Sequence, residues 1–303
     1  MNPVRARSVA SLFCAALAAL TGGCTPRQPA PAAVQAAHAG CRPVRGLEPL
    51  LRRGNVLLFG ELHGTRESPA FIGDVLCAAV GARLPLVLAL EVPRSEQRAI
   101  DGFLASAGTP EDRAVLAAGA FWGREYPDGR SSEAMLALIE QARSLRRSSA
   151  ELRVVTFAAA ASLPFRQHDR AMSDSLARAA GEAVDRVTVV LTGNVHARLA
   201  RGMPYDSTFA PMGHLLARRL AGRSVVSLGM AHEGGEAWTC RAARDDPDRF
   251  ACNAGPVEPQ PGAAAWSVEL ATEAGPGAPY GGRYGVGPIT ASLPVRAPGP
   301  ASR

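Results

Sequence analysis

The sequence has 303 residues, 47% of them hydrophobic and 20% charged, which is enough length and apolar content for one domain with a sizeable core. Its formal net charge of +6 comes from 33 basic residues, every one an Arg, scattered among 27 acidic ones without an aromatic-interleaved basic face. That pattern argues against a nucleic-acid-binding surface. The lack of a phosphate-cradling Gly loop and of a Gly-Xaa-Ser-Xaa-Gly elbow argues against a nucleotide enzyme or a Ser hydrolase.

The first 23 residues read as an export signal. Arg5 and Arg7 form a charged start, Ser8 to Leu20 is apolar apart from serines, and Thr21-Gly22-Gly23 is small before Cys24. The apolar stretch is too short for a transmembrane helix of the mature protein. A Cys directly after two glycines resembles a bacterial lipoprotein processing site, with Cys24 as the lipidated first residue; plain secretion is the competing reading. Residues 24–40, rich in Pro and Ala, have nothing to bury and read as a tether holding the domain off a membrane. The expected localisation is therefore the bacterial cell envelope, lipid-anchored.

The remaining chain reads as one domain over residues 41–294, followed by a short tail, residues 295–303. Val56–Gly60 is an apolar strand, and Ser68–Val80 a helix with Ser68 as N-cap and Pro69 in the first turn. Leu84–Leu90 is a second buried strand ending in Glu91, and Pro93–Ser106 and Pro110–Ala120 read as helices. Ser132–Arg147 is amphipathic, with Met135, Leu138, Ile139, Ala142 and Leu145 on one side. Leu152–Phe157 is the third strand, Asp169–Gly181 a helix, Val187–Thr192 the fourth strand, Met212–Leu220 a helix and Ser224–Met230 the fifth strand. Continuous apolar strands alternating with helices predict an α/β fold: a mainly parallel central sheet with helices on both faces. Glu236–Cys240, Trp266–Ala271 and Val286–Ser292 are short β-like pieces among Gly and Pro, expected as a small antiparallel C-terminal extension at one edge.

After Cys14 in the leader and Cys24, the cysteines Cys41, Cys77, Cys240 and Cys252 remain. Four cysteines in an oxidising compartment imply two disulfides. Three pairings are open; Cys240–Cys252 would close a short loop, and Cys41–Cys77 would pin the start of the domain to the first helix. Zinc ligation competes, but no CxxC pair is present.

Two strands stop the same way, in Gly60-Glu61-Leu62-His63 and in Gly193-Asn194-Val195-His196. In an open α/β sheet, ligands bind outside the carboxyl ends of the strands, so both imidazoles and Glu61 are expected at one edge. A carboxylate beside an imidazole can orient it as a base, or the two can ligate a metal. Glu91 ends a strand after seven uncharged residues, and burying it costs several kcal/mol unless something pairs with it; Arg66 or Arg94 would serve a purely structural pairing. Asn194 can position a substrate. His168-Asp169-Arg170 opens a helix, where Asp169 suits the N-terminus and Arg170 can clamp an anionic or carbonyl group. The aromatic and charged loop Phe121–Arg130, with Trp122 and Tyr126, reads as a lid or pocket wall.

Gly60-Glu61-Leu62-His63, Leu88-Ala89-Leu90-Glu91, Asp169-Arg170-Ala171-Met172 and Gly193-Asn194-Val195-His196 together resemble the clan of ChaN-type haem-binding lipoproteins, TIKI/TraB proteins and erythromycin esterases. The resemblance covers most of residues 55–230. It implies an α/β domain with Glu61, His63, Glu91 and His196 as catalytic residues, or with His63, His196 and Glu61 as metal ligands; Asn194, Arg66, His168 and Arg170 are, from their own chemistry and position, the residues expected on the substrate. This chain departs from ChaN-like sequences in having Arg66-Glu67 where a second His commonly follows the first motif, and His168 where an Arg opens the helix. The implied function is hydrolysis of an ester or an amide or peptide bond by water that His and Glu, or a divalent metal, activate. The alternative is a non-enzymatic haem-binding, iron-uptake lipoprotein, which the resemblance allows to be a homodimer; a degenerate site on a structural lipoprotein comes third.

Overall fold

In the computed structural model, residues 41–149, 151–204, 206–242, 250–272 and 277–296 are described. The export signal, Cys24, the tether and the acidic loop at residues 245–248 lie outside them. Among the described residues no helix is long and apolar enough to cross a membrane.

Each of the first strands is apolar on both faces because both faces are covered. In β1 (Val56–Glu61) every residue is buried. Leu57 and Phe59 enter one core cluster, with side chains of helices α1 (Glu67–Gly81), α2 (Gln97–Ala105) and α4 (Glu133–Ser148). Val56 and Leu58 enter a second cluster with α5 (Phe165–Gly181) and α7 (Met212–Arg219) on the opposite face. This two-sided burial is why periodicity is lost along the strand. β2 (Leu86–Pro93) and β4 (Val187–Gly193) divide their side chains in the same way.

With β3 (Leu152–Ala158), β5 (Val225–Ala231), β8 (Ser267–Leu270) and β9 (Gly282–Gly285), these strands form a seven-stranded sheet in the order β3-β2-β4-β1-β5-β9-β8. All neighbours are parallel except the β8–β9 pair. The α/β reading is therefore the observed fold. Strands β2, β4 and β1 are adjacent, with Leu90 level with Leu191 and Glu61 level with Gly193. Their carboxyl ends form one edge, and α6 (Asn194–Ala197) begins there.

Some boundaries differ from expectation. Helix α1 opens at Glu67 with Arg66 as N-cap; Ser68 is buried and its hydroxyl meets that of Tyr284 at 2.9 Å. Pro93 closes β2, and α2 starts only at Gln97 after a 3-10 turn. A capping box of Thr109 and Asp112 starts α3 (Pro110–Ala117). The C-terminal pieces are not all additions to one edge. Glu236–Cys240 belongs to β6 (Gly235–Ala242), which pairs with β7 (Phe250–Val257) in a separate antiparallel hairpin. Val286–Ser292 is no strand; the ladder is made by Gly282–Gly285 instead, parallel to β5. Residues 290–295 run as a strap: Ser292 N–H donates to Gly64 O, and Val295 N–H to Ser131 O.

Both disulfide pairings are found, Cys41–Cys77 and Cys240–Cys252, as suits an extracellular or periplasmic protein. Cys41–Cys77 ties residues 36 apart, so constraint of the unfolded chain is its main contribution. Replacing both cysteines by Ala is expected to lower unfolding free energy by about 2–4 kcal/mol in urea denaturation. An unchanged midpoint would show that the bridge pins nothing.

Candidate active site

Glu91 is 3% exposed, and its carboxylate lies where the ends of β2, β4 and β1 meet. Oε2 accepts from Thr192 Oγ1 at 2.6 Å and from the Gly193 N–H at 2.8 Å, and Oε1 accepts from Arg130 Nη1 at 2.8 Å. Two imidazoles face the same carboxylate: His63 Nε2 is 3.8 Å from Oε2, and His196 Nε2 is 4.0 Å from Oε1. Each ring is oriented from behind by a second carboxylate. His63 Nδ1 meets Glu61 Oε1 at 2.8 Å, and His196 Nδ1 meets Asp169 Oδ1 at 2.8 Å. A carboxylate accepts from Nδ1–H, so a neutral ring in either pair turns an Nε2 lone pair toward Glu91. Both rings remain reachable from solvent, with side chains 22% and 20% exposed.

Electrostatics follow from this alternation of charge. Burial opposes charge on His63, but the Glu61 hydrogen bond and the Glu91 and Glu61 charges outweigh it, and its pKa is raised above the ordinary 6.5. His196 is raised for the same reasons, with Asp169 in the place of Glu61. Burial likewise opposes the Glu91 charge; His63, His196 and Arg130 overcome it and lower its pKa to about 2. Linkage fixes the pH sense. The histidine contributions to stability are complete below pH 6.5 and disappear as pH rises through the raised values. The Glu91 contribution is complete above 4.5 and disappears as pH falls toward 2.

Two glycines make room for the site. A Cβ on Gly193 would stand 3.0 Å from His63 Nε2 and 3.4 Å from His196 Cδ2, so the strand passes directly beneath both rings. Gly64, at φ +80°, turns the chain after His63 into a conformation that a side chain disfavours.

Glu61, His63, Glu91 and His196 are thus assembled as the strand ends suggest. Asp169 joins them, not as a helix-opening carboxylate but from within α5, which begins at Phe165. Its Oδ1 also accepts from Met212 N–H at 2.7 Å, tying His196 to the start of α7. Because Asp169 points inward, its chain neighbours turn away: Arg170 is exposed and His168 Nε2 lies 2.9 Å from Leu163 O. Arg66 is also outside the cluster, donating to Ala291 O. Glu91 pairs with neither Arg66 nor Arg94 but with Arg130, thirty-nine residues along the chain. Asn194 lines a small neighbouring cavity with Leu62, Met230, His232 and Tyr280.

Arg130 is the member of this cluster that the sequence did not single out by itself. It is clamped by Asp128, with Nη2–Oδ2 at 2.6 Å and Nε–Oδ2 at 3.1 Å, and Arg124 holds Asp128 in turn. The only sequence signal was the density of charge in the loop. Within that loop Trp122 is fully buried packing, whereas Tyr126 is 45% exposed and stacks edge-on with Phe250 at 6.0 Å.

Glu61 lies behind the His63 ring, bonded to Nδ1, so His63, His196 and Glu61 do not converge on one metal position as a ligand set. His63, His196 and Glu61 do not place one ligand atom each within 4.8 Å of one another; among the described residues the one such cluster is Cys41, Asp74 and Cys77, whose sulfurs are joined. Glu61 is committed to an Nδ1, and Glu91 to Arg130, Thr192 and Gly193. Proton transfer is the chemistry that this arrangement supports.

No protein-family model and no curated protein matches the chain. Solved structures do. An erythromycin esterase mutant in its open conformation aligns with a TM-score of 0.54 at 11% identity, over 69% of this chain and 78% of that one. A protein from Bacillus cereus aligns with a TM-score of 0.57 at 11% identity, over 82% and 92%. At such identity the likeness is one of fold, and it is the fold that the sequence resemblance implied.

Gly193→Ala should retain the fold while its Cβ, 3.0 Å from His63 Nε2, displaces that ring by a few tenths of an ångström. The expected result is an altered His63 titration by NMR with circular dichroism unchanged. A wild-type His63 titration would show that the ring need not sit on the strand.

Proposed function

We propose that the chain is an exported hydrolase, lipid-anchored through Cys24, that cleaves an ester or amide bond with water activated by histidine. The observation that carries this reading is the pair of imidazoles, each held at Nδ1 by its own carboxylate and each facing Glu91 with Nε2. One ring, neutral, takes a proton from water through Nε2. The other, protonated, gives its Nε2 proton to the leaving oxygen or nitrogen. Glu91 stays ionised at any physiological pH and, by its charge, raises the pKa of both rings. Glu61 and Asp169 hold the tautomers, and Arg130 adds a fixed positive charge beside Glu91. The fold shared with an erythromycin esterase supports the reading, and the two disulfides support export.

The pH dependence has a definite sense. The base must be neutral and the acid protonated, and both histidines are raised above 6.5. A bell-shaped kcat/KM profile is therefore expected, with its maximum on the alkaline side of pH 6.5. Screening an ester and peptide library should find an activity that His63→Ala, His196→Ala and Glu91→Gln each lower by about 10²–10⁴-fold. An acid limb below pH 6.5, or activity indifferent to these changes, would defeat the assignment.

The haem-binding alternative rests on one feature, the exposed Tyr126–Phe250 pair. A Soret shift on haem addition, lost in Tyr126→Ala, together with no hydrolysis in the library, would favour it.

A further inference from the structure

The hairpin β6–β7 has no residue in the site, yet it reaches the site's supports from outside. Trp238 makes two contacts that join separate supports. Its backbone N–H donates to Gly64 O at 2.9 Å, on the turn that follows His63, and its indole Nε1–H donates to Pro127 O at 2.8 Å, in the loop that carries Asp128 and Arg130. The two segments are also packed against each other: Gly129, at φ +93°, lies so close to Gly64 that any Cβ would overlap its backbone. Two residues beyond Trp238, Cys240 stands directly opposite Cys252 and is bonded to it, stapling the hairpin. Phe250 on the other strand stacks on Tyr126 of the same loop.

Gly64 O has a second donor, Ser292 N–H at 2.8 Å, so the turn after His63 is held without Trp238. The Arg130 loop is held at its far end by the strap, where Val295 N–H donates to Ser131 O, and at its crest by Trp238. Its ion pairs, Arg124–Asp128–Arg130, bind its parts to one another and to Glu91. The Trp238 indole is the polar contact that ties its crest at Pro127 to the stapled hairpin.

We infer that Trp238 is a positioning residue, which through its bond to Pro127 latches the Arg130 loop onto Glu91 and so fixes the charge environment shared by the two histidines. The inference rests on the hydrolase reading only in calling those histidines catalytic. The latch itself is read from ring titration and not from turnover, so the failure of either leaves the other standing.

The groups facing His63 are Glu61, Glu91, Arg130 and, from the same loop, Asp128; those facing His196 are Asp169, Glu91 and Arg130. Arg130 lowers both rings, so withdrawing it raises both. The histidines should be titrated by NMR in the wild type, Trp238→Phe, Arg130→Gln and the double variant. Trp238→Phe keeps an aromatic ring and removes the indole N–H. A released loop carries Asp128 away with Arg130, and at His63 the two losses oppose each other, so His196 is the ring to read. The expected result is that Trp238→Phe moves His196 upward by the greater part of its Arg130→Gln shift, and that the double variant leaves His196 where Arg130→Gln alone does. An unmoved His196 in Trp238→Phe, or a further His196 shift when it is added to Arg130→Gln, would overturn the inference. Should Trp238→Phe not fold, Cys240→Ala/Cys252→Ala loosens the hairpin without removing the indole and is expected to raise His196 in the same direction; His196 at its wild-type value would overturn it equally.

Discussion

A single carboxylate, buried at the end of β2, sets the terms for the rest of the molecule. Left alone, an ionised Glu91 would cost several kcal/mol to bury. It is ionised nonetheless, because a hydroxyl, a backbone N–H and a guanidinium bond it directly and two imidazoles face it. The partners come from three stretches of chain, residues 192–196, Arg130 and His63, and each must be delivered to within a few ångströms. The order β2-β4-β1 does most of this: it places Thr192 and Gly193 on one side of Glu91 and brings His63 and His196 over the same glycine.

Around this centre the charges alternate in a line, Glu61, His63, Glu91, His196, Asp169, with Arg130 and Asp128 branching from the middle. Alternation keeps Glu91 ionised despite burial and raises the pKa of both histidines. The outer supports are mechanical. The start of α7 holds Asp169, the C-terminal strap and the hairpin hold the turn after His63, and the hairpin holds the Arg130 loop. The two disulfides act at the periphery, one on the start of the described chain and one on the hairpin.

The parallel sheet and its strand ends were legible because strands covered on both faces leave continuous apolar runs, and the polar residues that stop them stand out. Glu91 was conspicuous for the same reason, as a charge after seven uncharged residues. What could not be read is what depends on meetings across the chain. Nothing near Glu91 in sequence names Arg130 as its partner, and local charge made Arg66 and Arg94 the natural candidates. Asp169 sat in a motif that looked like a helix start; only the earlier opening of α5 at Phe165 turns it inward to His196 and sends His168 and Arg170 away. Strand β9 was missed because Gly282–Gly285 carries little β propensity, and its place is set by pairing with β5 and β8.

The central claim is that one carboxylate serves both imidazoles. Titrating His63 and His196 by NMR in Glu91→Gln tests it most directly, because the substitution keeps the shape and removes the charge. The account predicts that both rings lose part of their elevation together and titrate at lower pH than in the wild type. Rings that stay where they are, or one that falls while the other does not move, would contradict it.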